Sequence, residues 1–110
     1  MSGIYGQQVS LGQANGPEVD LIVDGTELYA HYETPAGHPV VYDDGLGLFC
    51  YARVIQGAFQ SSGIPLRDPP PPGIEIHSRE SDEIRKKKIA ERVFHMEQRR
   101  RGVPETNRPL

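Results

Sequence analysis

Apolar and polar residues alternate in short runs through the middle of the chain, which is the pattern of β-strands with one buried face. The first run places Val19, Leu21 and Val23 on one side of a strand. The same reasoning predicts strands at residues 19–23, 27–33, 38–43 and 48–55, with a short fifth strand at 58–61. The run at 48–55 is apolar or aromatic on both faces apart from Arg53, so we expect this strand to be covered on both sides.

Turn-forming residues separate the predicted strands at short intervals. Asp24-Gly25 is a strong hairpin signal, and Gln56-Gly57 can close a two-residue hairpin. Connections this short leave no room for crossover helices, which favours an antiparallel meander. A small sheet buries only one face well, so the other face needs the C-terminal helix, a curl of the sheet into a half-barrel, or a partner.

The segments that flank the meander differ from it in composition. Glycine and glutamine dominate residues 1–17, which predicts an irregular arm before a β-meander domain at 18–64. The apolar residues Ile4, Val9 and Leu11 could form a short edge strand within this arm. Four consecutive prolines mark residues 65–77 as a Pro-rich linker in the polyproline II conformation, and such a segment can also be a ligand for a polyproline-binding module.

A helical pattern follows the linker, at residues 78–101, with Ser78 or Ser81 as its cap and a stop at Gly102 and Pro104. Its apolar residues form a narrow stripe on a charged rod, and residues 102–110 are predicted to be a flexible tail. The predicted fold class is therefore α+β and mainly β: a small antiparallel meander of four to five strands, a Pro-rich spacer and one C-terminal amphipathic basic helix.

Charge divides the 110 residues into two segments of opposite sign. Residues 1–77 contain nine acidic and two basic side chains, whereas residues 78–110 contain ten basic and six acidic ones. Because acidic and basic side chains are mixed in the second segment, it is a weak candidate for a surface that binds the phosphates of nucleic acid. Nucleic acid therefore ranks low among the expected partners. The start of the chain has no Sec signal and no run is apolar enough to span a membrane, which leaves localisation open between the cytoplasm and export without a leader.

No residue constellation in the sequence indicates catalysis, a metal or a cofactor. The four histidines share no i,i+4 pair and none stands at ligand spacing from a cysteine. Cys50 lies in the middle of a predicted strand, where a thiol packs as a small apolar group. Asp43-Asp44 is too sparse for a calcium loop and fits a turn. We therefore expect a non-catalytic chain without a cofactor.

One stretch resembles a known family. Residues 24–43 read DGTELYAHYETPAGHPVVYD and residues 57–65 read GAFQSSGIP, followed by a proline-rich and then a basic segment. This order is similar to the N-terminal non-catalytic region of immune inhibitor A-type secreted zinc metalloproteases, over about residues 18–100. The His-Glu-x-x-His zinc motif of that family is absent from this chain. The resemblance thus implies a prodomain-like or accessory segment without peptidase activity.

The leading functional hypothesis is a protein-interaction domain that regulates a zinc metalloprotease. The alternatives are a stand-alone adaptor or docking tag for a larger assembly, such as a phage-like or contractile injection particle, and a weak nucleic-acid binder through the basic helix. The oligomeric state stays open. Candidate partner-binding residues are the sheet aromatics and the helical stripe: Tyr29, Tyr32, Tyr42, Phe49, Tyr51, Ile89, Val93 and Met96. A candidate site for proteolytic processing is Arg99, Arg100 and Arg101.

Overall fold

A computed structural model describes residues 3–100, and within this range the chain forms six strands followed by one helix. The elements are β1 (Ile4–Gln13), β2 (Gly16–Gly25), β3 (Ala30–Glu33), β4 (Pro39–Asp43), β5 (Leu48–Ile55), β6 (Ala58–Pro65) and α1 (Asp82–Arg100). The strands follow one another in a single antiparallel sheet in the order of the sequence. The predicted α+β class and the meander are confirmed, with six strands in place of four to five. No helix in the described range is long and apolar enough to cross a membrane.

The additional strand is β1, where an irregular arm was expected for residues 1–17. Residues 7–11 pair in register with residues 19–23 of β2, from Gln7 opposite Val23 to Leu11 opposite Val19. The Ser10 hydroxyl donates to the Asp20 carboxylate across the pair at 2.6 Å. The prediction of an arm was wrong because ladder hydrogen bonds use the backbone, which glycine and glutamine supply as well as any other residue.

The turns show where local sequence determines the backbone. Gln56 and Gly57 both have positive φ, 52° and 81°, as a two-residue hairpin requires, which confirms that prediction. Asp24-Gly25 does not form its predicted turn, since both residues belong to β2. The chain reverses directly after them, where Thr26 and Tyr29 exchange backbone hydrogen bonds.

The hydrophobic core lies on one face of the sheet. Leu21, Val40 and Phe49 are buried there, and neighbouring apolar side chains such as Leu11 and Leu66 pack against them. The tip of the β1–β2 hairpin folds over this face: the Gln13 side-chain oxygen accepts from the Phe49 backbone N–H at 2.6 Å. Leu11 and Val19 of the β1–β2 hairpin, together with Leu66, therefore help to cover the core.

Residues 66–81, which we call the strap, return across the sheet instead of extending from it. The Tyr51 hydroxyl donates to the Asp68 carbonyl at 2.8 Å, and the backbone N–H of Ser81 donates to the Gly57 carbonyl at 2.8 Å. Prolines lack an N–H but keep their carbonyls as acceptors, and Pro72 receives a hydrogen bond from the Arg53 guanidinium at 3.4 Å. The expected spacer between two separate parts is therefore a packed part of the β-domain.

Helix α1 begins directly after the strap. The Ser81 side-chain oxygen accepts from the Ile84 backbone N–H at 3.2 Å, which confirms Ser81 as the cap. Asp82 and Glu83 occupy the first turn, where acidic side chains interact favourably with the helix dipole. The predicted end of the helix at Gly102, and the tail at 102–110, lie outside the described residues.

Candidate interaction surfaces

A groove lies between the β1–β2 hairpin, the turn at residues 34–37 and the start of the strap. Its volume is about 520 Å³, and its lining is mainly apolar, with Pro17, Val19, Leu48, Tyr51 and Leu66 among the lining residues. This volume falls in the range of small-ligand pockets. His38, Asp20 and Arg67 are the ionisable side chains that also line it. The groove can accept an apolar group.

The opposite face of the sheet carries a buried carboxylate, Glu80, which is 4% exposed. Its two oxygens accept from the Tyr29 hydroxyl at 2.6 Å, the Phe59 backbone N–H at 2.8 Å and the Lys88 ammonium at 2.7 Å. We call these four residues the Glu80 cluster. It joins the strap to β6, to the β2–β3 turn and to the second turn of α1.

Electrostatics in the Glu80 cluster favour the charged carboxylate. Burial raises the pKa of Glu80, but the hydrogen bonds from Lys88, Tyr29 and Phe59 outweigh burial and hold the pKa below its ordinary value. Burial, together with the adjacent carboxylate of Glu80, raises the pKa of Tyr29. The cluster therefore keeps an ionised Glu80 and a neutral Tyr29 over the physiological pH range.

A second polar group lies beside it on the same face, around Glu33. The Glu33 carboxylate contacts His31 Nε2 at 2.9 Å and His77 Nδ1 at 3.0 Å. His31 is 2% exposed and its Nδ1 has no hydrogen-bond partner. Within residues 3–100, no three His, Cys, Asp or Glu side chains are arranged to hold a metal ion. The Glu33 contacts fasten the strap to β3.

Cys50 lies in the middle of β5 and is fully buried. Burial raises the pKa of its thiol, which lowers the fraction of reactive thiolate at neutral pH. The side chain packs as a small apolar group, as the sequence predicted.

The sheet aromatics named as partner-binding candidates are divided between the two faces. Tyr32 and Phe49 belong to the hydrophobic core, and Tyr42 packs edge-on against Phe49 with ring centroids 4.9 Å apart. Tyr51 lines the groove, whereas Tyr29 belongs to the Glu80 cluster. These five side chains form no continuous exposed surface, and the structure gives each of them a packing or hydrogen-bonding role.

The helical candidates remain accessible. None of the 19 residues of α1 is buried. Val93 is 42% exposed and the neighbouring Phe94 is 58% exposed, while Ile89 and Met96 are half-buried. Arg99 and Arg100 occupy the last turn of α1, and Arg101 lies outside the described residues.

The basic run at residues 85–88 is partly neutralised. Arg85 pairs with Asp82 one turn earlier, and Lys88 is held by Glu80. Two of the four consecutive cations thus have carboxylate partners within the molecule, which further weakens the footprint expected of a phosphate-binding helix.

The Glu80 cluster and the Glu33 contacts were not predicted from the sequence. The donors to Glu80 come from residues 29, 59 and 88, so no local pattern marks this residue. The one available signal was an acidic residue directly before the helix cap, and that position usually indicates only a favourable interaction with the helix dipole.

Searches with protein-family models, among curated proteins and among solved structures find no match to this chain. The resemblance to the N-terminal region of immune inhibitor A-type proteases therefore stays a prediction from the residues quoted above.

Proposed function

We propose that this chain is a non-catalytic protein-interaction domain in which the β-domain serves as a rigid base and α1 is the element that docks on a partner protein. The observation that carries the proposal is that α1 extends over 19 residues with none of them buried. Helices of this length owe most of their stability in proteins to the packing of an apolar face. A partner that covers the face of α1 would supply that packing.

Contacts at the N-terminal end of α1 fix the orientation of the helix relative to the sheet, which suits a helix that is presented to a partner. Lys88, in the second turn, is held by Glu80, and Ser81 is bonded to the Gly57 carbonyl at the β5–β6 turn. These contacts set the direction in which the helix leaves the sheet. Beyond them, the stripe formed by Ile89, Val93 and Met96 lies on one side of the helix, because spacings of three and four residues share a face.

The class of partner follows from the resemblance. We propose a zinc metalloprotease catalytic domain of the immune inhibitor A type, which this chain would hold folded or latent by contact with α1. Zinc chemistry would then belong to the partner, and the present chain would contribute binding alone.

The experiment measures binding of this chain to such a catalytic domain, with two matched double variants. Ile89→Gln with Val93→Gln replaces the apolar stripe by uncharged polar groups. Lys87→Gln with Glu91→Gln changes the opposite side of α1 and leaves the net charge unaltered. A fully buried aliphatic side chain contributes about 1.5–3 kcal/mol, so the first variant should weaken binding by at least about tenfold. The second variant should bind as the parent does.

Hydrogen exchange provides a separate readout in the same experiment. Amides from residue 89 onward should exchange rapidly in the free chain and become protected in the complex, since a helix without packing opens readily. Equal binding by both variants, or strong protection of these amides in the free chain, would contradict the proposed docking role of α1.

A further inference from the structure

The two edges of the sheet differ in how their backbone groups are used. At the β6 edge, the N–H of Phe59 donates to Glu80, and the N–H groups of Gly63 and Ile64 donate to the hydroxyls of Ser61 and Ser62 at 3.0 and 3.2 Å. Side chains and the strap thus occupy N–H groups that an incoming strand would need. Natural proteins commonly protect sheet edges in this way.

The β1 edge has no such protection within residues 3–100. β1 is the outermost strand, ten residues long, and most of its residues are exposed. It contains no Asp, Glu, Lys, Arg or Pro, the residues that most often prevent edge pairing. Its one backbone contact with a side chain is the Gly6 N–H, which donates to Asp24 on the neighbouring strand. The outer row of N–H and C=O groups is therefore open to another strand.

We infer that β1 pairs with β1 of a second copy of this chain, antiparallel about a two-fold axis, to form a continuous sheet of twelve strands. This surface is separate from α1, so the inference does not depend on the proposed function. The regular ladder of β1 extends from Gln7 to Leu11, and a register shift lies on either side of it. When two such five-residue segments overlap completely, their central residue, Val9, lies on the two-fold axis.

Charge does not oppose a second copy as the occupant of this edge. Residues 1–77 carry a net charge of −7, which would normally oppose self-association. The paired strands themselves carry no charge, however, and the acidic residues Glu18, Asp20 and Asp24 lie on β2. Across the new pair the two β2 strands are three strand spacings apart, about 14 Å, which exceeds the screening length of about 8 Å at physiological salt.

Side chains on β1 also gain from such pairing. Val9 and Leu11 lie opposite Leu21 and Val19 of β2, so they share the face of the sheet that carries the core, and both are only half-buried. A second β1 strand would place Val9 beside its own copy and Leu11 beside Gln7 of the partner. The association would extend the existing core across the axis.

Light scattering over a range of protein concentrations tests the inference. The chain should form dimers, and Gln8→Lys should raise the dissociation constant at least about tenfold, because it places a charge within the paired edge. Gln60→Lys, the same change on the exposed surface of β6, should have no effect. Circular dichroism would verify that both variants are folded.

Oxidative cross-linking tests the position of the axis. A two-fold at Val9 brings the two Cα atoms of this residue to about 4.5–5.5 Å, within the range of a disulfide. Val9→Cys should therefore form covalent dimers readily, while Gln60→Cys and the parent, whose Cys50 is buried, should not.

Three results would overturn the inference. The first is a monomer at all protein concentrations, and the second is equal weakening of the dimer by Gln8→Lys and Gln60→Lys. The third is a dimer that survives Gln8→Lys but is lost when Ile89 and Val93 are changed to Gln. The last result would assign self-association to α1. A dimer lost only with Gln8→Lys would support the β1 edge whatever the outcome of the protease-binding experiment.

Discussion

Glu80 is a residue at which strand, strap and helix meet. A buried carboxylate costs several kcal/mol to desolvate, so it persists only where donors surround it. Here Tyr29, Phe59 and Lys88 supply those donors from three distant parts of the chain. The cluster therefore stabilises the tertiary arrangement, because each donor lies in a different part of the fold.

Glu80→Gln should lower the free energy of unfolding by about 2–3 kcal/mol, because the amide keeps one acceptor oxygen but turns its NH₂ group toward groups that are themselves donors. Urea unfolding at neutral pH provides the measurement. Glu75→Gln is the matched control, since Glu75 is an exposed residue of the strap. A loss of the same size for both variants would show that the effect is one of general charge and not of the Glu80 cluster.

At the scale of elements, the β2–β3 connection depends on one close backbone approach. Gly25 ends β2 opposite Ala30, with a φ of 144°, and a Cβ at this position would overlap the Tyr29 carbonyl oxygen. This explains why the sequence contains glycine here although Asp24-Gly25 is not the turn itself. Glycine is required here because the backbone at Tyr29 comes too close to leave room for a Cβ atom.

Gly25→Ala should destabilise the fold by about 2–3 kcal/mol, since the backbone must shift and adopt a φ that side chains rarely allow. Thermal or urea unfolding measures the change. Gly12→Ala in β1 is the control, because a Cβ added to Gly12 would meet no other atom within 4 Å and the φ of this residue is not positive. Similar stability of the Gly25 and Gly12 variants would contradict the close approach.

Sequence-based prediction succeeded for features that depend on local interactions and failed for features that depend on long-range ones. The hairpin at Gln56-Gly57, the strand at Leu48–Ile55 and the cap at Ser81 were predicted correctly, because each depends on residues a few positions apart. β1 and the strap were not. The ladder of β1 uses the backbone of β2, and the carbonyls of the strap find donors such as Tyr51 and Arg53 only after the sheet has formed.

At the scale of the whole molecule, the two proposed surfaces are formed by different elements, β1 and α1, and would serve different partners. The β1 edge lies at one end of the strand order, whereas the Glu80 cluster that holds α1 joins β6, at the other end, to the β2–β3 turn. Pairing of two copies through residues 7–11 would use no residue of α1. The proposed self-association and the proposed docking of a protease are therefore compatible in one assembly.

The stability of the whole molecule should form a plateau over about pH 5.5–8 and fall on both sides of it. On the acid side, the pKa of Asp43 is held below its ordinary value by hydrogen bonds from Ser61 and Leu46, and that of Asp24 by the Gly6 N–H and by Arg79. The pKa of Glu80 is likewise lowered. A lowered folded-state pKa contributes stability that is complete above the unfolded value and is lost as pH falls through the folded value.

On the alkaline side the sign is reversed. Burial raises the pKa of Tyr29, with Glu80 adding to the effect, and burial also raises the pKa values of Cys50 and Tyr51. The stability that these three groups contribute is therefore complete below their unfolded-state pKa values and is lost as pH rises above about 9–10. Urea unfolding across the pH range should show both limbs, with the acid limb shallower in Glu80→Gln and the alkaline limb shallower in Tyr29→Phe. An acid limb identical in Glu80→Gln and the parent would exclude the lowered pKa of Glu80 as a source of stability, and with it the charged state of the cluster that fixes the base of α1.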